Sequence, residues 1–242
     1  MKIGILGYGN MGQEVEKVAI ESGHSIVAKF DLKNPFLNTS LHPETEVLIS
    51  FTGKDAVCRN MKIAAELGVP VVEGTTGWHS HLDSIKEIAG LTMIYSSNFS
   101  IGMYHFTKLV QFSVELFGSM KEYDCYLHEW HHKGKADSPS GTANKLANIM
   151  IGAIPSKSTI AMPAASEKIG PQSLCVTSSR VGRFPGKHEV GFDSEYDTII
   201  LSHQAHNRTG FAFGAVRAAE WLIGKEGIYT MDDFMNASMK RN

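Results

Sequence analysis

Lys2-Ile3-Gly4-Ile5-Leu6-Gly7-Tyr8-Gly9-Asn10-Met11-Gly12 opens the chain with a short apolar run that passes directly into a glycine-spaced turn. The apolar run reads as a buried parallel strand. Glu14, Val15, Val18 and Ala19 follow at helical spacing as far as Ser22-Gly23, where glycine suits a helix stop. A second strand, Ser25-Ile26-Val27-Ala28-Lys29-Phe30, then ends on Asp31. A G-x-G-x-x-G run alone says little. Between a strand and a helix, with an acid 19 positions after its last glycine, it reads as a dinucleotide site.

Each position in the turn has its own reason. Gly7 permits the tight turn, Gly9 lets a pyrophosphate approach the backbone, and Gly12 lets helix and strand pack closely, with Tyr8, Asn10 and Met11 in the same cradle. Asp31 is placed to accept hydrogen bonds from ribose hydroxyls. No arginine follows it to welcome a 2′-phosphate, although Lys33 is close by, so the reading is NADH favoured and NADPH tolerated. Strands and helices go on alternating: strand 47–51, helix 55–67 ending at Gly68, strand 69–73, helix 82–89, strand 91–96. That alternation predicts a Rossmann-type, doubly wound parallel sheet, with ligands beyond the carboxyl ends of its strands. Phe51 and Thr52, then Gly74, Thr75 and Thr76, then Ser96, Ser97, Asn98 and Phe99 occupy those ends and complete the expected cofactor site.

Past residue 99 the pattern changes. A helix over 100–117 leads to segments that alternate with strand periodicity: Tyr123 to His128, Leu174 to Arg180, His188 to Phe192 and Thr198 to His203. These predict a smaller α+β domain with an open mixed sheet, and a helix after Thr142. From about Gly214, Val216, Ala219, Leu222 and Ile223 return to helical spacing. The division expected is a dinucleotide-binding domain over 1–99, a substrate-binding and oligomerisation domain over 100–213, and C-terminal helices over 214–242 packing back on the first.

Between the first two of those strands lies His128-Glu129-Trp130-His131-His132-Lys133-Gly134-Lys135-Ala136-Asp137-Ser138-Pro139-Ser140-Gly141-Thr142-Ala143. Its first five residues match HExxH, a zinc signature that works only on a helix. The alternation upstream makes this a strand, on which His128 and His132 stand about 13 Å apart, too far to share one ion. No metal is expected. Ser140 reads as a helix cap, and the unpaired amides behind it form a receptor for a carboxylate or phosphate.

With these residues in view the chain resembles the dihydrodipicolinate reductase family. The motif E-x-H-H-x-x-K-x-D-x-P-S-G-T-A falls on Glu129, His131, His132, Lys135, Asp137, Pro139, Ser140, Gly141, Thr142 and Ala143. Supporting matches are Gly7 to Gly12, Gly74-Thr75-Thr76-Gly77, Asn98-Phe99-Ser100 and Phe213-Gly214-Ala215-Val216-Arg217. Tyr126 and Leu127 depart from the family's acid and β-branched residue, and Ser50 stands where aspartate is common. The resemblance implies NAD(P)H-dependent reduction of a cyclic dicarboxylate, 4-hydroxy-tetrahydrodipicolinate, in lysine and diaminopimelate synthesis. It makes His131 the general acid and Lys135 its charged partner, with His132, Ser140, Gly141 and Thr142 on a substrate carboxylate. Asp137 would orient Lys135, and Glu129 would support from behind. It also implies a homotetramer, and domain closure hinged near residues 96–100 and 211–216. Another Rossmann-type dehydrogenase would lack the HHxxKxDxPSGT run, and a nucleotide sensor with a dead second domain would have lost His131 or Lys135.

Composition narrows the partners. A formal charge of −2 with no basic run argues against nucleic acid. No apolar stretch is long enough for a bilayer. Three cysteines, Cys58, Cys125 and Cys175, at no metal-like spacing fit a reduced, cytoplasmic protein.

Overall fold

In the computed structural model, which describes residues 1–162 and 168–239, β1 (Lys2–Leu6) lies inside a parallel sheet. The chain runs on through α1 (Asn10–Glu21), β2 (Ser25–Phe30), β3 (Val47–Ser50), α2 (Val57–Glu66), β4 (Val71–Glu73), α3 (Leu82–Lys86) and β5 (Met93–Tyr95). These strands lie in the order β5-β4-β3-β1-β2, every pair parallel. Ile3, Ile5, Leu6, Val47, Leu48, Ile49, Val71 and Val72 are all fully buried, as strands covered on both faces require. Helix α3 stops three residues before the expected Ala89. Its last turn tightens, with the Ile88 amide donating to the Ile85 carbonyl, and Gly90 follows at positive φ.

Residues Gly102–Asn207 make a second compact unit. After α4 (Ile101–Phe117) come β6 (Asp124–His131), α5 (Gly141–Ala153), β7 (Thr159–Ala161), β8 (Ser173–Arg180), β9 (Lys187–Asp193) and β10 (Thr198–Gln204). The five strands form a mixed sheet, β10-β9-β6-β8-β7, in which β6 runs parallel to β8 and antiparallel to β9. Cys125 and Leu127 of β6, Leu174 and Val176 of β8, and Val190 and Phe192 of β9 share the face that packs on α4 and α5.

The C-terminal stretch returns to the first unit as α6 (Thr209–Leu222), β11 (Ile228–Thr230) and α7 (Met231–Met239), and β11 adds a sixth parallel strand beside β5. Helix α6 begins at Thr209, ahead of the Gly214 start expected from spacing. Position 214, within the helix, is glycine because a Cβ there would stand 1.7 Å from the Phe99 carbonyl oxygen. The residue records a close approach and not a helix start. Among the described residues, no helix is long and apolar enough to cross a membrane.

Candidate active site

In the first unit a cavity of about 410 Å³ opens beyond the strand ends. Gly9, Asn10 and Met11 line it, with Phe51, Thr52, Gly74, Thr75, Thr76, Ser97, Asn98, Phe99 and Phe211. It lies where the chain, having placed β2 on one side of β1, crosses to place β3 on the other. Open α/β sheets take their ligands at such a switch point. Helix α1 starts there with Gly9 as its cap, with no side-chain capping bond and no acid in its first turn. Its leading amides and the positive end of its dipole therefore face the cavity uncompensated, as a pyrophosphate requires. Gly7 has φ +87°, and a Cβ on it would sit 2.2 Å from the Phe51 carbonyl oxygen. A Cβ on Gly12 would sit 2.3 Å from the Gly7 oxygen, whereas Gly9 meets nothing within 4 Å. The cradle fits a dinucleotide.

Five of the expected cofactor residues, Gly7, Tyr8, Gly12, Asp31 and Ser96, do not line this cavity. The Tyr8 hydroxyl is bonded to Glu16, and the Lys29 ammonium stands 4.5 Å over its ring. Asp31 Oδ1 accepts the Lys33 and Asn34 amides at 2.7 and 2.9 Å, and these, Asn34 first, hold the exposed carboxyl below its ordinary range. Ser96 Oγ donates to the Asn98 carbonyl at 2.8 Å and accepts the Asn98 amide at 3.1 Å, which shapes the last loop. Phe211 was missed, because it belongs to the stretch of α6 ahead of Gly214.

Beneath the Thr75 loop lies Glu73, fully buried, with Oε1 accepting the Thr75 amide at 2.7 Å and Oε2 without a hydrogen-bond partner. Burial pushes this carboxyl up to about 6, against the pull of Thr75. Below the ordinary glutamate value of 4.5 the group is protonated in both folded and unfolded chains and costs nothing. As pH rises through about 6 the folded state must release a proton it holds more tightly, so stability falls across that window. The rise from 4.5 to about 6 corresponds to about 2 kcal/mol. Glu73→Gln should therefore raise the melting temperature by about 4–8 °C near pH 8 and by almost nothing near pH 4.5. An equal shift at both pH values in calorimetry overturns this.

The second unit gathers a polar cluster at one end of its sheet. Strand β6 buries Cys125, Leu127, Glu129 and His131 on one face. In register, Glu129 pairs with Ser178 of β8 and His188 of β9, and His131 pairs with Arg180. Residues directly opposite in a sheet share a face, so the apolar layer gives way to Glu129, Ser178, His188, His131 and Arg180. Glu129 Oε1 accepts the Ser178 hydroxyl at 2.8 Å, Arg180 Nη2 at 3.0 Å and the Ser140 amide at 3.0 Å. Its Oε2 lies 3.2 Å from His131 Nε2, outside hydrogen-bond alignment, and 3.5 Å from His188 Nε2. Burial pulls the Glu129 carboxyl up, but the groups around it, His131 and His188 foremost, outweigh burial and hold it well below the carboxylate range. Burial lowers His188, against the pull of the Glu129 carboxylate. Ligand atoms of Glu129, His131 and His188 lie within 4.8 Å of one another, a spacing a transition metal could use. The Arg180 guanidinium already supplies the opposing charge, so the cluster reads as an ion-pair network.

Helix α5 starts against this cluster. Ser140 caps it, its Oγ accepting the Ala143 amide at 3.1 Å and lying 3.2 Å from His188 Nε2. The amides of Gly141 and Thr142, in the first turn, have no partner within the helix. Lys135 Nζ donates to Asp137 Oδ1 at 2.7 Å, and Arg180 Nη2 donates to the Asp137 carbonyl at 2.6 Å. His132 stands half-buried just past the end of β6. His128 points to the opposite face, its ring nitrogens bonded to Thr177 at 2.6 Å and Ser179 at 3.1 Å. The HExxH residues therefore cannot gather on one ion, as their strand periodicity implied. Arg180, His188 and Ser178 were not anticipated; their signal was the alternation of β8 and β9 on to polar residues.

A family model described as dihydrodipicolinate reductase, N-terminus, matches residues 1–99, and one described as dihydrodipicolinate reductase, C-terminus, matches residues 102–235. The 4-hydroxy-tetrahydrodipicolinate reductase of Christiangramia forsetii is 36% identical over 245 residues, covering 99% of this chain and 100% of that protein. That of Archaeoglobus fulgidus is 36% identical over 261 residues, covering 97% and 100%. In fold, the chain is similar to the dipicolinate-bound dihydrodipicolinate reductase from Paenisporosarcina sp. TG-14, with a TM-score of 0.75 at 22% identity over 96% of this chain and 98% of that one.

Proposed function

The chain belongs to the dihydrodipicolinate reductase family and acts as an oxidoreductase on 4-hydroxy-tetrahydrodipicolinate in lysine and diaminopimelate synthesis, and on that premise we propose which of its residues carry the reaction. The first unit binds NAD(P)H with the α1 amides on the pyrophosphate and the Phe51, Gly74 and Ser96 loops around the nicotinamide end. When bound, the cofactor supplies the hydride. The second unit holds the diacid and delivers the proton that the reduced ring then needs. His131 is the general acid, because imidazole gives up a proton near neutral pH. Lys135 neutralises the substrate's charge and stands ready to protonate the ring nitrogen. Gly141, Thr142, Ser140 and His132 hold a carboxylate, helped by the positive end of α5. The observation that carries this reading is the buried Glu129–His131 pair beside the Gly141 and Thr142 amides that open the Ser140-capped helix α5. The dipicolinate named for the Paenisporosarcina structure is a flat diacid of the kind such a receptor suits.

Oxidation of NADH and NADPH, followed in parallel with freshly generated substrate, tests the activity. Loss of neither cofactor overturns it. We assign the remaining Asp31 oxygen, Oδ2, to the ribose hydroxyls, so NADH is the favoured donor and NADPH is tolerated. Asp31→Ser is expected to raise kcat/KM for NADPH relative to NADH by about tenfold, the equivalent of about 1.4 kcal/mol. An unchanged ratio removes Asp31 from the choice. A homotetramer formed through the second unit's sheet is proposed on the family alone, with light scattering as its check. A reduced cytoplasm suits the three free thiols.

A further inference from the structure

We propose that Glu129 is a positioning residue that ties the proton donor to the carboxylate receptor, one buried side chain aiming His131 and fixing the start of α5 at once. The proposal rests on the assignment of His131 as general acid. Its basis is the division of labour between the two carboxylate oxygens. Oε1 receives three donors, Ser140 N, Ser178 Oγ and Arg180 Nη2, all between 2.8 and 3.0 Å. That leaves Oε2 turned to the two imidazoles, 3.2 Å from His131 and 3.5 Å from His188. His188 closes a ring, because the nitrogen facing Oε2 also lies 3.2 Å from Ser140 Oγ, the atom that caps α5. Glu129 is wholly buried, so water does not compete for either oxygen. The proton donor, held at Oε2 by ion-pair proximity and not by an aligned hydrogen bond, and the helix start, bonded at Oε1, therefore both answer to this one side chain.

This arrangement needs a carboxylate. In Glu129→Gln the three donors hold the amide oxygen at the Oε1 position, which keeps α5 anchored. The amide NH2 then faces two histidine nitrogens in place of an acceptor. The variant separates the two duties: KM for the diacid should stay within about threefold of wild type, while kcat falls by about 10²-fold, within the range a general acid contributes. A residue acting only as a brace would change both together.

The deciding measurement is a cycle of Glu129→Gln, His131→Gln and the double variant in the full-length protein. If Glu129 works through His131, the double variant turns over no more slowly than His131→Gln alone. If its loss is the product of the two single losses, the proposal is overturned and the assignment of His131 stands. If His131→Gln retains the wild-type rate, that assignment fails and the proposal falls with it. Should Glu129→Gln not fold, Ser178→Ala, which removes one donor from Oε1, replaces it. A loss of about threefold in kcat is then expected in the wild-type background and none in His131→Gln, a fraction of what one hydrogen bond to a carboxylate contributes. Equal losses in both backgrounds overturn the proposal.

Discussion

His131→Gln is expected to lower kcat by about 10²- to 10³-fold while leaving KM for the diacid within about threefold of wild type. Glutamine keeps a donor that can face Glu129 Oε2, so the buried carboxylate is not left without a polar neighbour and the fold should hold. It has no proton to give near neutral pH. The hydride step then leaves a ring whose charge must be quenched by water, and the loss falls on kcat. His131 is only 9% exposed, which limits water as a substitute. Steady-state rates at saturating cofactor, with near-ultraviolet circular dichroism to confirm packing, measure this. A folded variant turning over at near wild-type rate removes His131 from the chemistry.

How far the sequence carried differs between the two units. The first was legible because strand, glycine turn and helix each impose a pattern on consecutive residues, and the order of elements then dictates a parallel sheet. Its C-terminal supplement was harder. Strands of three residues such as Ile228–Thr230 are too short for periodicity to register. Gly210 and Gly214 mask the first turn of α6. Helix α7 did carry a local signal: the Thr230 amide donates to Asp233 Oδ2 at 2.7 Å, and the Asp233 amide donates back to Thr230 Oγ1 at 3.4 Å. That reciprocal bonding is the capping box T-x-x-D, readable from four letters.

The second unit was legible as to which residues carry chemistry, and not as to what surrounds them. His131, Lys135 and Ser140 lie in one contiguous run. The partners of Glu129 and Ser140 in that run come from β8 and β9, more than forty positions away in the chain: Ser178 and Arg180 for Glu129, His188 for Ser140. Which of those strands flanks β6, and in what register, is a tertiary fact: a slip of one residue would turn Ser178 and His188 away from Glu129. Polar residues on the core face of a sheet break the expected alternation of apolar inside and polar outside. Such violations collect where a fold serves a site.

Lys135→Ala should lower kcat/KM by about 10³-fold, and the reason lies as much in Asp137 as in the lost ammonium. Lys135 Nζ is 2.7 Å from Asp137 Oδ1, and that bond and the ammonium's charge, with smaller help from the Asp137 and Gly141 amides, outweigh burial and hold the Asp137 carboxyl below its ordinary range. The Gly141 amide is also one of the groups assigned to the substrate carboxylate. Removing Lys135 therefore deletes its charge-assisted contact with the bound diacid, of about 1.5–3 kcal/mol, and leaves the Asp137 anion uncompensated beside the receptor. Asp137→Asn in the Lys135→Ala background should recover about fivefold in kcat/KM, because it removes the repulsion without restoring the cation. Lys135→Arg separates charge from proton transfer. Guanidinium stays charged and binds a carboxylate well, but does not release its proton near neutral pH. If Lys135 protonates the ring nitrogen, arginine restores KM and not kcat. Recovery of both by arginine assigns Lys135 to charge alone, and failure of arginine to restore KM shows that the receptor needs a point charge and not a fork.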